Sequence, residues 1–206
     1  MRLCRLLPLF VLAWMTCALA AASAQAGVLV QTVGPCEGRP TSQVFLPWLD
    51  PLNYTQVSGG TFEDGAPGWT LSGAAVVAGN ETSYVTGAGD SRSLSLPPGG
   101  SATTPSTCVG LDKAVLRLFA RNTGSLLSTL RVDVRFEDAS GAARTLPLGV
   151  LVGTASWRPT LPIPVIANLL PLLPEGGTPV AFSFTALGNG GNWRIDDVHL
   201  DPRRGH

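Results

Sequence analysis

The sequence predicts an all-β protein, a jelly-roll β-sandwich of two antiparallel sheets, and three observations lead there. Short runs of β-branched or alternating apolar residues recur between turn signals, in a chain with 24 Gly and 17 Pro among 206 residues. Leu130, Val132, Val134 and Phe136 alternate with Arg131, Asp133, Arg135 and Glu137, a period of two that sends one face to a core and the other to water. No stretch sustains a helical period. Many short strands in one domain-sized chain give the sandwich.

Taken in order, residues 1–26 stand outside the fold. Arg2 and Arg5 precede an apolar run over residues 6–20, and small residues crowd 20–26, offering cleavage after Ala24 or Ala26. This is the pattern of a secretory signal peptide, so the mature chain is expected to be secreted and extracellular. Cys17, inside the run, lacks the small residue expected before a lipidated cysteine. No later segment approaches the ~20 apolar residues of a bilayer span. Residues 27–56 read as an irregular, Pro-marked segment containing the apolar block Val44-Phe45-Leu46-Pro47-Trp48-Leu49. The sandwich follows over 57–202, with strands expected near 59–64, 68–78, 82–86, 91–97, 101–109, 113–122, 128–138, 142–152, 154–160, 178–187 and 192–200. A helical turn near 165–170 is confined between Pro164 and Pro171. Residues 203–206 form a tail.

Without residues 1–26 the chain carries 12 basic and 14 acidic residues, so it is close to neutral and has no basic stripe for nucleic acid. Only Cys36 and Cys108 remain of the four cysteines, and export into an oxidising compartment predicts that they pair. Such a bridge ties the irregular segment to the sheet and stabilises the fold by about 4 kcal/mol on the chain-entropy account. Arg outnumbers Lys 13 to 1, the composition of a GC-rich genome.

The closing run Trp193-Arg194-Ile195-Asp196-Asp197-Val198-His199-Leu200 places two adjacent carboxylates inside an apolar strand. A buried unpaired carboxylate costs several kcal/mol, so the pair requires a cation, an arginine or a hydrogen-bond network. Ile195 has the opposite parity from Val198 and Leu200, so the alternation must slip at Asp196-Asp197, as a bulge does, aiming one carboxylate inward and the other out. Calcium takes six to eight oxygens, and Gly-rich loops at 58–60 and 87–89 offer carbonyls. The alternative is that these acids pair with Arg194 or another arginine, or cap a solvated strand end.

Gly60-Thr61-Phe62-Glu63 with Gly68-Trp69, then Ser93-Leu94-Ser95-Leu96-Pro97, Trp157 and the closing Trp193-Arg194-Ile195-Asp196-Asp197-Val198 resemble the galactose-binding-like jelly roll shared by many carbohydrate-binding modules. The resemblance covers roughly residues 57–202, and extends to a group of uncharacterised secreted proteins of actinomycete-type bacteria. It implies a structural calcium where the Phe-Glu strand meets the closing Asp strand, held by Glu63 with Asp196 or Asp197. It leaves the sugar-binding aromatics unmatched, and no catalytic domain is attached.

Catalytic constellations are thin. His199 and the terminal His206 are the only histidines, and His199 reads as a strand residue with solvent on one side. No nucleophile elbow, phosphate loop or zinc spacing is present. Of the aromatics Trp48, Tyr54, Trp69, Tyr84, Trp157 and Trp193, the flanking sequence sends Trp69 and Trp193 to the core. Trp48 and Trp157, in Pro-bounded loops, are the expected ligand-stacking residues. Arg117, Arg121, Arg131, Asp133, Arg135 and Glu137 read as a solvated polar face. The functional expectation is a non-catalytic binding module for carbohydrate or a cell-envelope polymer. A structural or protein-interaction sandwich without a small ligand is the alternative, and an undetected hydrolase the third. The disulfide yields a direct prediction: thiol titration of the denatured, unreduced mature chain returns no reactive thiol, and two thiols per chain would refute the pairing.

Overall fold

The computed structural model describes residues 39–110, 114–138, 140–165 and 177–201. The signal segment, Cys36, the tail and, but for Val165, the helical turn expected near 165–170 lie outside the described residues. The remaining expectation holds: two antiparallel sheets face each other, and among the described residues the one helical element is a 3-10 turn at Leu46–Trp48.

Sheet I contains β1 (Thr55–Gln56), β3 (Ala75–Ala78), β4 (Arg92–Leu96), β7 (Val115–Asn122), β10 (Arg158–Pro159), β11 (Ile163–Pro164) and β13 (Trp193–Asp201). Sheet II contains β2 (Thr70–Ser72), β5 (Ser101–Thr103), β6 (Thr107–Gly110), β8 (Thr129–Glu137), β9 (Ala143–Val152) and β12 (Gly177–Leu187). Sheet I runs β10-β7-β13-β4-β3, with β1 also on β13 and β11 on β7; sheet II runs β2-β5-β12-β8-β9, with β6 also on β12. The central strand of sheet I is therefore β13, late in the sequence, paired with strands that precede it by tens of residues. Pro147 lies in β9 at the edge of sheet II, a position where a missing N–H breaks no interior ladder.

The period-two patterns explain the core. Leu130, Val132, Val134 and Phe136 of β8 pack with Val180, Phe182 and Phe184 of β12 against Leu116 and Leu118 of β7, Leu94 and Leu96 of β4, and Trp193 and Ile195 of β13. Trp69 and Trp193 join this core as expected; Trp193 donates its indole N–H to Ser128 Oγ at 2.9 Å, so its polar edge is satisfied.

Four strand expectations are corrected. Residues 59–64 form successive turns instead, with Gly60 N–H donating to Val57 O, Phe62 N–H to Gly59 O and Gly65 N–H to Phe62 O. Phe62 itself adopts φ 62°, which no strand accommodates. Residues 82–86 form a loop, and of 154–160 only Arg158–Pro159 is a strand. The span 68–78 divides at Gly73, at φ 65°, into β2 of one sheet and β3 of the other.

The proposed solvated polar face also divides. Arg117 and Arg121 belong to β7 in sheet I, whereas Arg131, Asp133, Arg135 and Glu137 belong to β8 in sheet II. Arg117 is buried, because the segment before β1 folds over the outer side of sheet I and builds a second core from Phe45, Tyr54, Phe119 and Trp157. Asp50 holds this cover in place. Its Oδ2 pairs with Arg117 Nη1 at 2.6 Å and accepts from the Tyr54 hydroxyl at 2.7 Å, while Oδ1 accepts from Leu52 N–H at 3.1 Å. Arg117 also donates through Nε to Thr160 O at 2.9 Å, and its guanidinium stands 4.3 Å above the Phe45 ring. Burial alone would raise the Asp50 pKa, but Tyr54, Leu52 and Arg117 outweigh it and hold the group below its ordinary value.

Breaking one half of such a pair leaves an uncompensated buried charge, which costs about 3–5 kcal/mol. Asp50→Ala is expected to lose that much in urea unfolding at neutral pH. A loss under about 1 kcal/mol, the range of a surface pair, would show that the segment is not fastened there.

Candidate functional site

The slip required by the parity of Ile195 is present. The register of β13 against β7 shifts between Asp196 and His199, and Asp197 takes φ 47°. This extra residue lets Ile195, Val198 and Leu200 all reach the core. The expectation that one carboxylate points out is corrected: Asp196 and Asp197 are both 0% exposed. The loop between β3 and β4, residues 79–91, closes over them. Asp196 Oδ2 accepts from Glu81 N–H at 2.9 Å and Oδ1 from Asp197 N–H at 2.9 Å. Asp197 Oδ1 accepts from the Thr86 hydroxyl, and its Oδ2 is buried with no partner.

Two glutamates shape this loop. Glu81, fully buried, accepts from Ser83 N–H at 2.5 Å and Val85 N–H at 2.9 Å. Between those two amides Tyr84 is held at φ 51° with its side chain half exposed. A left-handed aromatic residue persists only when its surroundings impose it, and the Glu81 carboxylate does so here. Glu63 clamps the other end of the loop, accepting from Ser91 N–H at 2.9 Å and Arg92 N–H at 2.7 Å through Oε1 and from Ser91 Oγ at 3.2 Å through Oε2. Glu63 thus lies in a turn beyond β1 and not on the strand that meets β13; that strand is β1, with Thr55 opposite Leu200.

Burial pushes Asp196 up to about 8, with Asp197 and Glu81 adding repulsion against the two amide donors. Burial likewise raises Asp197 to about 7, opposed by Thr86 and reinforced by Glu81, Asp90 and Glu63. Asp90 is raised by burial and by Glu63 and Glu81, and its Oδ2 is also buried without a partner. The arginine alternative fails: the partners of Asp196 and Asp197 among the described residues are Glu81 N–H, Asp197 N–H and Thr86 Oγ1, and Arg194 donates instead to Ala78 O at 2.9 Å.

Residues that fit a calcium ion are therefore present in part. Asp197 and Asp90 each keep one buried carboxylate oxygen without a partner, and the acids around them raise their pKa values. Among the described residues, no three acidic, imidazole or thiol side chains are gathered around one point. Calcium completes its shell with carbonyls and water, so Asp197 and Asp90 suit it as anchoring ligands.

Beside the bulge lies a cleft of about 440 Å³ lined by Arg39, Thr41, Ser42, Gln56, Thr86 and His199, with apolar walls from Pro40, Val44 and Val85. Thr86 links the two places, since its hydroxyl reaches Asp197 and its body forms cleft wall. The expectation of solvent beside His199 is corrected, because it is 3% exposed with its ring edge against Phe45 at 5.7 Å. Its Nδ1 lies 2.8 Å from Asp197 O, and a carbonyl only accepts, so Nδ1 carries the proton. Burial lowers its pKa to about 4, leaving a neutral ring. His199 is thus a neutral ring beside two carboxylates that are 0% exposed.

Trp48 and Trp157 are corrected as exposed aromatics. Trp157 is 9% exposed beneath the Arg121 guanidinium, and Trp48 is half-buried, edge-on to Phe119 at 5.3 Å. Neither lines the cleft. The exposed ring is Tyr84, adjoining Val85 and Thr86 of the cleft wall. It was one of six aromatic candidates, and its setting in the polar run Asn80-Glu81-Thr82-Ser83 was the available signal for a loop position. Cys108 is buried in β6 opposite Pro179.

No family model and no curated protein matches the chain. Among solved structures it resembles the CBM22-1–GH10 modules of an endo-1,4-β-D-xylanase of Clostridium thermocellum complexed with xylohexaose, at 16% identity and a TM-score of 0.49 over 71% of this chain and 28% of that one. It also resembles the CBM22-1 xylan-binding domain from Paenibacillus barcinonensis, at 17% identity and TM-score 0.48 over 71% and 94% of the two chains. A third is TmCBM61 in complex with β-1,4-galactotriose, at 22% identity and TM-score 0.39 over 72% and 98%. The chain spans little more than a quarter of the xylanase chain. These likenesses concern fold, and the chemistry of the site rests on the geometry above.

The acid cluster generates a pH prediction. A carboxyl whose folded pKa is raised adds stability below its unfolded value, near 4, and loses it as pH rises through the folded value. With calcium chelated, the stability advantage of Asp197→Asn over wild type should therefore grow from about pH 4 to about pH 7 and then level. Urea unfolding across that range measures it, and parallel curves for the two proteins would refute the buried repulsion.

Proposed function

We propose that the mature chain is a secreted, non-catalytic carbohydrate-binding domain that holds a short stretch of an extracellular polysaccharide. The cleft carries this reading. Its volume lies within the range of small-ligand sites, and Arg39, Thr41, Ser42, Gln56 and Thr86 supply donors and acceptors above apolar walls, the mixture a sugar's hydroxyls and C–H faces require. The half-exposed Tyr84, next in sequence to Val85 and Thr86 of the cleft wall, is the ring assigned to stacking in this reading, in place of Trp48 and Trp157. The burial of Asp196 and Asp197 and the neutral ring of His199 support binding without cleavage.

In the same reading a structural calcium bound by Asp197 and Asp90 neutralises the buried acids and fixes the 79–91 loop. Because Thr86 and Val85 belong to that loop, the ion sets the cleft wall without touching the sugar. The Cys36–Cys108 bridge secures the segment that brings Arg39, Thr41 and Ser42 to the opposite wall. Export by the signal peptide, and processing at Ala24 or Ala26, complete the proposal.

A glycan array followed by affinity electrophoresis tests it. Binding of micromolar to millimolar strength is expected, and Tyr84→Ala should weaken it by about tenfold, the value of one stacked ring. Chelator should lower both affinity and melting temperature. Absence of retention on any glycan, with a protein recovered by pull-down instead, would favour the interaction-domain reading; released reducing sugar would overturn the non-catalytic one.

A further inference from the structure

The turn between β12 and β13 sets a side-chain amide beside an unoccupied backbone nitrogen. Asn189 and Gly190 form its tip, and both are exposed. Gly190, at φ 72°, has no side chain to shield its nitrogen. Its N–H donates to no group among the described residues, although its carbonyl accepts from Ser125 N–H at 2.7 Å. An asparagine Cγ and the nitrogen of the next residue can always close a five-membered ring. What decides whether they do is the freedom of that nitrogen to give up its proton and move.

Elsewhere among the described residues that freedom is missing. Tyr54 N–H, after Asn53, donates to Ser42 O at 2.9 Å, and Thr123 N–H, after Asn122, donates to Asn192 O at 3.2 Å. Glu81 N–H, after Asn80, donates to Asp196 Oδ2 at 2.9 Å. Trp193, after Asn192, is fully buried and paired with Asn122 in the β13 ladder. The single Asp-Gly pair, Asp64-Gly65, has the same glycine, but Gly65 N–H donates to Phe62 O at 3.1 Å.

We propose that Asn189 is a site of spontaneous covalent modification, converting to aspartyl and isoaspartyl forms. The Gly190 nitrogen loses its proton to hydroxide and attacks Asn189 Cγ. The N–Cγ bond forms, the Cγ–Nδ2 bond breaks, and Nδ2 takes a proton from water and leaves as ammonia. Water then opens the succinimide. Addition at Cγ gives an aspartyl residue with the chain path unchanged; addition at the Asn189 backbone carbonyl gives an isoaspartyl residue, with one more carbon in the main chain. Nothing is oxidised or reduced. The turn has little slack for that carbon. A Cβ on Gly124 would stand 2.1 Å from Gly190 O, the oxygen that Ser125 holds. A Cβ on Gly191 would stand 2.1 Å from Ser128 Oγ, which accepts the Trp193 indole N–H. Asn192 N–H, at the entry to β13, donates to Asn122 Oδ1 at 2.9 Å. The isoaspartyl form therefore displaces the Gly190–Ser125 contact and loosens the start of β13, whereas the aspartyl form adds one negative charge to an exposed tip. This chemistry is independent of whether the cleft holds a sugar.

The test incubates the full mature protein at mildly alkaline pH beside Asn189→Gln, whose longer side chain would need a six-membered ring. Ammonia release and peptide mapping with enzymatic isoaspartyl methylation follow the conversion. Wild type should release ammonia and accumulate isoaspartyl in the peptide holding residues 189 and 190, faster as pH rises. Asn189→Gln should do neither and should melt at the wild-type temperature. The separated isoaspartyl fraction should melt below unconverted protein, and Asn189→Asp close to it. An unchanged Asn189, under conditions that convert a synthetic peptide of residues 186–193, overturns the site. Isoaspartyl appearing equally at Asn80 or Asp64 overturns the role of the unoccupied amide. An isoaspartyl fraction that melts with the unconverted protein overturns the effect on β13.

Discussion

The bulge at Asp196–Asp197 is the constraint on which the rest depends. One extra residue restores the parity of β13, so that Ile195 and Val198 both enter the core, and it turns two acidic groups into a region that water does not reach. The cost of burying them sets what must surround them. Glu81 N–H and Thr86 are drawn onto the acids, which folds the 79–91 loop down over sheet I, and that loop becomes one side of the cleft. Without the bulge, the 79–91 loop would still join β3 to β4 but would have no buried acids to cover.

A second constraint acts on the same face. Sheet I is shielded from water over part of its outer face, because residues 42–54 lay Phe45, Trp48 and Tyr54 across Phe119 and His199. The Asp50–Arg117–Tyr54 group makes that cover cohesive, and it places Thr41 and Ser42 opposite Val85 and Thr86. The cleft is thus the seam between a cover fastened by one buried ion pair and a loop fastened by buried carboxylates. Two polar anchors, each costly if incomplete, determine the width of one opening.

Much of this was legible in the sequence, and for local reasons. The alternation of 130–137 and the parity conflict at Ile195 are properties of a period of two, so they gave the sandwich and the bulge directly. What escaped depended on long-range cover. Arg117 and His199 read as surface residues because nothing in their neighbourhood announces that a segment about 65 and 150 residues upstream will lie on them. Trp157 read as an exposed loop aromatic for the same reason. Glu63 was assigned to a strand because Gly-Thr-Phe-Glu has strand-like composition, whereas left-handed Phe62 converts it to a turn. Tyr84 was visible as a residue but not as a position, since its strain comes from a glutamate three residues before it.

The placement of β13 has a further consequence, in time and not in space. Its residues occupy the middle of sheet I, between β7 and β4, with β1 also alongside, although they are the last described in the chain. Until residues 193–201 are available, β4 and β7 have no ladder between them, and Thr55 has no Leu200 to pair with. Such non-local closure is slow, because loop entropy is lost before contacts reward it. A ribosome therefore holds a chain whose sheet I is incomplete until residues 193–201 have emerged. On the export proposed above, a keystone delivered so late keeps the preceding strands of sheet I loose while they cross a membrane.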